Sequence, residues 1–418
     1  MGHRDGWTLA AAARRAVAVA VFAVIAVYAA EGLAIGYEFV RQLRLPRNYD
    51  RRTRLEFLAD LRAQGVDVIV NPSSHVFLID RDDGSRVSSF TSGGREFLPV
   101  AAVSRRPSVV CNEFGSYLVV RPDQYGFNNP ADVWQMAPVA VAGVGDSFTF
   151  GNCVEPADSY MSRIRRAYPA TVNLGITSNG PLFELATLKE YLPAVKPRVV
   201  LWFFFENDIE DVQFERKNDV LMRYVREDGF TQNLRERQTE IDRLVTEFLT
   251  VRERNARQRA ADASGVAERV RRFMAVTRIH DLAQETRLNL FSGPDARVLT
   301  DEDWMLFDEI LGKANAAVRS WGGRMHFVYL PTLRRFGTPI GGRLDFRAML
   351  PTTYVDALHA RVLEIARKHD LPITDLTAAF VGHPNARSEL FSPVFHYTPE
   401  GNRLVADAVL AALSTDAH

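Results

Sequence analysis

The chain is short of several things. It has two cysteines in 418 residues and no excess of charge: Lys+Arg and Asp+Glu both total 51. A balanced surface lacks the basic footprint that a nucleic-acid partner requires. No His/Cys/Asp cluster has metal-ligand spacing, and no glycine-rich phosphate loop appears. We therefore expect no metal and no cofactor. Internal repeats and long low-complexity tracts are absent. Residues 208–293 hold no proline. Apolar residues make up 47% and charged residues 24%, the ordinary balance of a globular chain with a core.

One long apolar run is present, at the amino terminus. Arg4, Arg14 and Arg15 precede Ala16–Ala30, and after Glu31 the run resumes through Gly36. Together the two parts reach the roughly 20 residues that cross a bilayer. Basic residues before the run and few after it place the start of the chain in the cytoplasm and the remainder outside. The reading is a single-pass inner-membrane anchor over residues 1–37, with the rest periplasmic or extracytoplasmic. A cleaved signal peptide ending near Gly32-Leu33-Ala34 leads instead to secretion. Export gives the cysteines a meaning. In an oxidising compartment Cys111 and Cys153 can pair, and the bridge would pin a loop beside Ser147. Two buried free thiols are the alternative.

Residues 38–135 read as a small α+β segment. "RRTRLEFLADLRAQG" has Leu55, Phe57, Leu58 and Leu61 at helical spacing, and the short β-like runs "VDVIV", "HVFLID" and "SYLVV" follow. From residue 136 apolar strands alternate with amphipathic helices. "PVAVAGVG", "ATVNLGI", "PRVVLWFFFEND", "GGRMHFVYLP" and "LPITDL" are the strands. Such a rhythm implies an α/β fold with a parallel sheet covered on both faces. Residues 209–300 interrupt it with a stretch rich in Arg, Glu and Gln that reads as two long amphipathic helices. These form either a solvated surface hairpin or a lid.

Ligands of open parallel sheets gather at the carboxyl ends of the strands. There the sequence places Gly145-Asp146-Ser147, then "NLGITSNGP", then Glu206-Asn207-Asp208, with His396 just before the closing helix. A serine needs a base to become a nucleophile, and His396 is the natural one. An oxyanion needs donors. The Asn207 amide and backbone N–H groups of Ser147 and of the turn at Gly175 and Ser178 are the candidates. Asp146 is expected to shape the nucleophile turn more than to move protons.

These blocks resemble the SGNH (GDSL) hydrolase superfamily from residue 138 onward, the 209–300 insertion apart. "GVGDSFTFG" is similar to its nucleophile block and carries Ser147. "NLGITSNGP" resembles the second block, with Ser178 where the family has glycine. "FFENDIED" resembles the Asn block with Asn207, and Phe205 replaces a glycine there. "FHYTPEGNRLVADAV" resembles the His block with His396. The resemblance implies a three-layer, flavodoxin-like parallel sheet and a Ser–His acyl-enzyme mechanism. "RPDQYGFNNP" ahead of the nucleophile strand resembles membrane-anchored bacterial members linked to surface polysaccharide. The family's aspartate, two or three residues before the histidine, is missing, since Pro393 and Val394 stand there. A Ser–His dyad, or Asp375, Glu206 or Asp208 as substitute acid, remain open.

The functional expectation is an exported esterase or O-acyltransferase acting on short acyl, especially acetyl, esters of surface or exported polysaccharide. Its partners would be an acylated glycan, the membrane and envelope polysaccharide machinery. The alternatives are a lipid esterase, or a non-catalytic carbohydrate-binding or assembly protein on the same scaffold.

Overall fold

The computed structural model describes residues 4–43, 46–136, 138–265, 270–271, 273–277, 299–336 and 352–415. The chain divides into two compact units, residues 1–49 with 254–295 and residues 50–253 with 296–418. In the first unit the helix Arg4–Leu43 carries an apolar stretch, Arg14–Gly36, of mean hydropathy 2.2. At 1.5 Å per residue this stretch spans about 35 Å, enough for a bilayer core of about 30 Å. Tyr28 donates a hydrogen bond to the Met274 carbonyl at 2.9 Å within the same unit.

The second unit is built on five parallel strands, β8 (Val141–Val144), β9 (Thr171–Asn173), β10 (Val199–Phe205), β11 (Arg324–Leu330) and β12 (Ile373–Asp375). Their order is β9-β8-β10-β11-β12, so the chain reverses its direction of travel between β8 and β10. This is the flavodoxin-like order that the block resemblance implies. Every residue of β10, "VVLWFFF", is buried, because helices cover both faces. The two-residue period sorts them. Val200, Trp202 and Phe204 enter one core with the helices Pro181–Tyr191 and Asp301–Ser320. Leu201, Phe203 and Phe205 enter the other with Tyr160–Ala167 and Pro399–Thr415.

Residues 50–136 pack into the first of these cores through Phe77, Leu98, Val110, Phe127 and Trp134. Their helix is Arg54–Ala63, started by a capping box between Thr53 and Glu56. Their strands are short: β1 (Ile69–Val70), β2 (Leu78–Asp80), β3 (Arg86–Ser88), β4 (Phe90–Ser92), β5 (Arg95–Phe97), β6 (Ser108–Val109) and β7 (Val119–Val120). "HVFLID" is half strand only, since Ser74–Phe77 turns as a 3-10 helix.

The insertion also differs from expectation. Two short helices, Asp208–Glu215 and Asp219–Arg226, precede one long helix, Gln238–Ser264. The second long helix of the expectation falls mostly outside the described residues. Residues 238–253 lie along the 50–136 segment. Asp242 accepts from the Ser104 N–H and hydroxyl at 2.8 and 2.6 Å, and Glu253 takes Arg62 bidentately at 2.7 and 2.9 Å.

Candidate active site

Strand β8 ends at Val144, and the chain turns through Gly145. A Cβ there would lie 2.1 Å from the Thr149 hydroxyl, so only glycine fits. Asp146 then caps a one-turn helix, Ser147–Phe150, by accepting the Phe148 N–H at 2.8 Å. The cap fixes Ser147 at the first position of the turn, just beyond the end of β8. Burial raises the Asp146 carboxyl to about 6 against the opposing Phe148 N–H.

His396 meets Ser147 from the loop before the closing helix. Its Nε2 lies 3.0 Å from Ser147 Oγ. Its Nδ1 lies 2.8 Å from Glu113 Oε1. The carboxylate fixes the tautomer: Nδ1 carries the proton it donates to Glu113, and the Nε2 lone pair faces the serine. Glu113 Oε2 accepts the His396 backbone N–H at 3.2 Å and the Ser392 hydroxyl. Ser392 Oγ in turn accepts the Val394 and Phe395 N–H groups at 3.2 and 2.8 Å. Loop 392–396 is thus wrapped around a carboxylate. Burial pushes the Glu113 carboxyl up, but His396 and these hydrogen bonds outweigh it and hold it below its ordinary value.

Glu113 is the residue that sequence reasoning missed. It corrects the open choice among a dyad, Asp375, Glu206 and Asp208. Asp375 bonds His359 at 2.7 Å. Glu206 is committed to Arg335, Tyr329 and Thr332 at 2.7, 2.8 and 2.8 Å. Asp208 accepts the Phe205 N–H at 2.8 Å. One signal did point to Glu113. It sits two residues after Cys111, and Cys111 is bonded to Cys153, six residues past Ser147.

Asn207 follows β10, the neighbour of β8, so Ser147 and Asn207 flank the point where strand order reverses. Their segments are in contact, since the Phe148 and Phe205 rings stack at 3.8 Å. Asn207 Nδ2 gives one N–H to Asp211 Oδ2 at 3.0 Å. Burial raises the Asp211 carboxyl to about 7. Ser178 holds a left-handed φ of 66°, the conformation for which glycine is usual. Its carbonyl accepts the Ser74 hydroxyl at 3.0 Å, so the 50–136 segment also buttresses this turn. Gly175 requires a correction: its N–H donates to Asn173 Oδ1 at 2.8 Å and is not free for an oxyanion. Its lack of a Cβ matters instead, because one would lie 2.3 Å from the Phe150 nitrogen.

Among the described residues, Glu113, Cys153 and His396 are the group close enough to share a metal ion, but the Cys153 sulfur is in the disulfide and offers no thiolate. His326, in β11, faces Thr374 at 2.8 Å within the sheet.

A serine just beyond the first strand of a 2-1-3-4-5 parallel sheet, paired with a histidine ahead of the last helix, is now in view. The strand order is the one that the block resemblance implied. No family model and no curated protein matches the chain. Among solved structures it is similar to a lipase/acylhydrolase from Enterococcus faecalis, at 15% identity over 66% of this chain and 96% of that one, with a TM-score of 0.36. It is similar to an acetyl xylan esterase at 11% identity over 66% and 99%, TM-score 0.34. It is also similar to the psychrotrophic esterase EstA of Pseudoalteromonas sp. at 9% identity over 66% and 97%, TM-score 0.33.

Proposed function

We propose that the chain is an exported serine ester hydrolase whose triad is Ser147, His396 and Glu113. The observation that carries the reading is the unbroken hydrogen-bonded line from Glu113 through His396 to Ser147. In the first half-reaction Ser147 Oγ attacks the ester carbonyl and His396 Nε2 takes its proton. Glu113 stabilises the imidazolium that forms. The second Nδ2 proton of Asn207, left over after its bond to Asp211, and backbone N–H groups of the Ser147 and Ser178 turns support the oxyanion. His396 then returns the proton to the departing alkoxide, leaving acyl-Ser147. Water, or a sugar hydroxyl, deprotonated by His396, takes the acyl group and frees the serine.

Two further steps belong to the same proposal. The apolar Arg14–Gly36 helix and the disulfide favour an anchored protein with this site outside the cytoplasm. The substrate class is a short acyl ester, acetyl first, on a surface or exported polysaccharide, handled with envelope polysaccharide machinery. This class rests on the block resemblance, and transfer to a sugar hydroxyl is the second outcome of the same acyl-enzyme.

The test is intact-mass analysis of the full chain treated with a fluorophosphonate. One adduct that maps to Ser147 and disappears in Ser147→Ala and His396→Ala supports the reading. A folded protein that takes no adduct contradicts it and leaves a binding scaffold. Acetylated sugar substrates, with water and sugar acceptors compared, then separate hydrolysis from transfer.

A further inference from the structure

The acid of this site lies in a different part of the chain from the other two groups. Glu113 belongs to the tip of a hairpin, residues 110–118, between the antiparallel strands β6 and β7. The base of that tip is closed on itself and on residue 50. Cys111 O accepts the Leu118 N–H at 2.8 Å, and Asn112 donates to the Asp50 carbonyl at 2.8 Å. Those bonds shape the loop without joining it to the serine. One covalent bond does join it, from Cys111 to Cys153, with the two Cα atoms 5.5 Å apart across 42 residues of chain.

Both ends of that bond are next to the chemistry. One residue, Asn112, separates Cys111 from the acid, and the Cys153 sulfur lies 3.9 Å from His396 Nδ1, the nitrogen that Glu113 contacts. Cys153 also holds a left-handed φ of 65°, a conformation that side chains with a Cβ disfavour. Without the bond, nothing covalent keeps that segment in place or the carboxylate on the histidine.

We infer that the Cys111–Cys153 cystine is the positioning pair for Glu113, so that Ser147 becomes an activated nucleophile only after these two thiols are oxidised. The inference rests on the triad assigned above. The chemistry is thiol–disulfide exchange. The two thiols give up two protons and two electrons to a disulfide oxidant, which leaves as its dithiol, and one S–S bond forms in the protein as one is lost in the oxidant. A reduced chain would carry serine and histidine but lack a fixed acid. The cytoplasm keeps thiols reduced and extracytoplasmic compartments oxidise them, so ester chemistry would be withheld until export.

The test is a cycle with two arms on the full-length protein, read by the rate of fluorophosphonate labelling of Ser147. The first arm breaks the cystine, by reductant and by the Cys111→Ser/Cys153→Ser variant. The second is Glu113→Gln. A positioning role predicts a drop of at least about 100-fold on breaking the cystine in the wild type, and less than about 3-fold in the Glu113→Gln background, since the acid is lost only once. Circular dichroism of each form confirms that it is folded. The reductant arm uses protein that has already folded, which covers a double variant that fails to fold. Equal drops in both backgrounds would make the cystine a general structural tie and overturn the inference. So would unchanged labelling after complete reduction. If Glu113→Gln leaves the oxidised wild-type rate unchanged, the triad assignment fails, and the positioning inference with it. Drops that are equal in both backgrounds, with Glu113→Gln itself impaired, sink the positioning role alone.

Discussion

At the scale of single residues, the site combines groups that local spacing reveals with one that it does not. Ser147, Asn207 and His396 were legible because each stands in a short block at a strand or helix boundary. Glu113 was not, because it reaches His396 across 283 residues. The local rule examines only the positions just before the histidine, where Pro393 and Val394 offer no carboxylate. Ser392 is nevertheless a trace of the acid, since its hydroxyl turns toward Glu113. The oxyanion donors were partly legible. Asn207 follows β10 and gives one N–H to Asp211, while the Gly175 N–H is taken by Asn173. Asn207→Ala is expected to lower kcat on an activated acetate ester by about 10²- to 10³-fold, the usual loss of one oxyanion donor. Steady-state kinetics with unchanged KM would show it.

At the scale of elements, the strand–helix rhythm was legible from apolar runs alone, whereas the order of the strands came only with the block resemblance. The 50–136 segment was less legible. Its strands of two or three residues gain their stability from packing against the larger core, so their period hardly shows. All seven residues of strand β10 are buried. Trp202→Ala is expected to cost about 3–5 kcal/mol, measured by urea unfolding. A second prediction concerns Glu215. This residue ends the helix Asp208–Glu215 and accepts the Gly180 and Leu182 N–H groups, at 2.6 and 2.8 Å, at the start of the helix Pro181–Tyr191. Burial raises its carboxyl to about 8, and His75 stands 3.5 Å away. The ordinary value is 4.5. Between those two pH values the unfolded chain has released a proton that the folded chain keeps. The unfolded state therefore binds fewer protons, and stability falls as pH rises. Asp211, raised to about 7, acts with the same sign. The thermal midpoint is expected to fall from pH 5 to pH 8 in the wild type and to fall less in Glu215→Gln. Equal slopes would contradict this assignment.

At the scale of the whole molecule, the apolar amino terminus and the catalytic unit are separable claims. The apolar helix was legible as composition, because length and apolarity are read directly from the residues. Full-length protein is expected to stay with membranes through alkaline carbonate extraction. A chain lacking residues 1–37 is expected to be soluble and to keep its fluorophosphonate adduct. Loss of the adduct along with the anchor would contradict that separation. The central claim is that an acid supplied by the amino-terminal segment completes a triad on a sheet that already holds the serine and histidine. Its most direct measurement is kcat/KM of Glu113→Gln on an acetate ester, in protein whose cystine and circular dichroism are intact. The account predicts a fall of about 10²- to 10⁴-fold, as when the orienting acid of a serine–histidine pair is lost. Activity within a few-fold of wild type would contradict it.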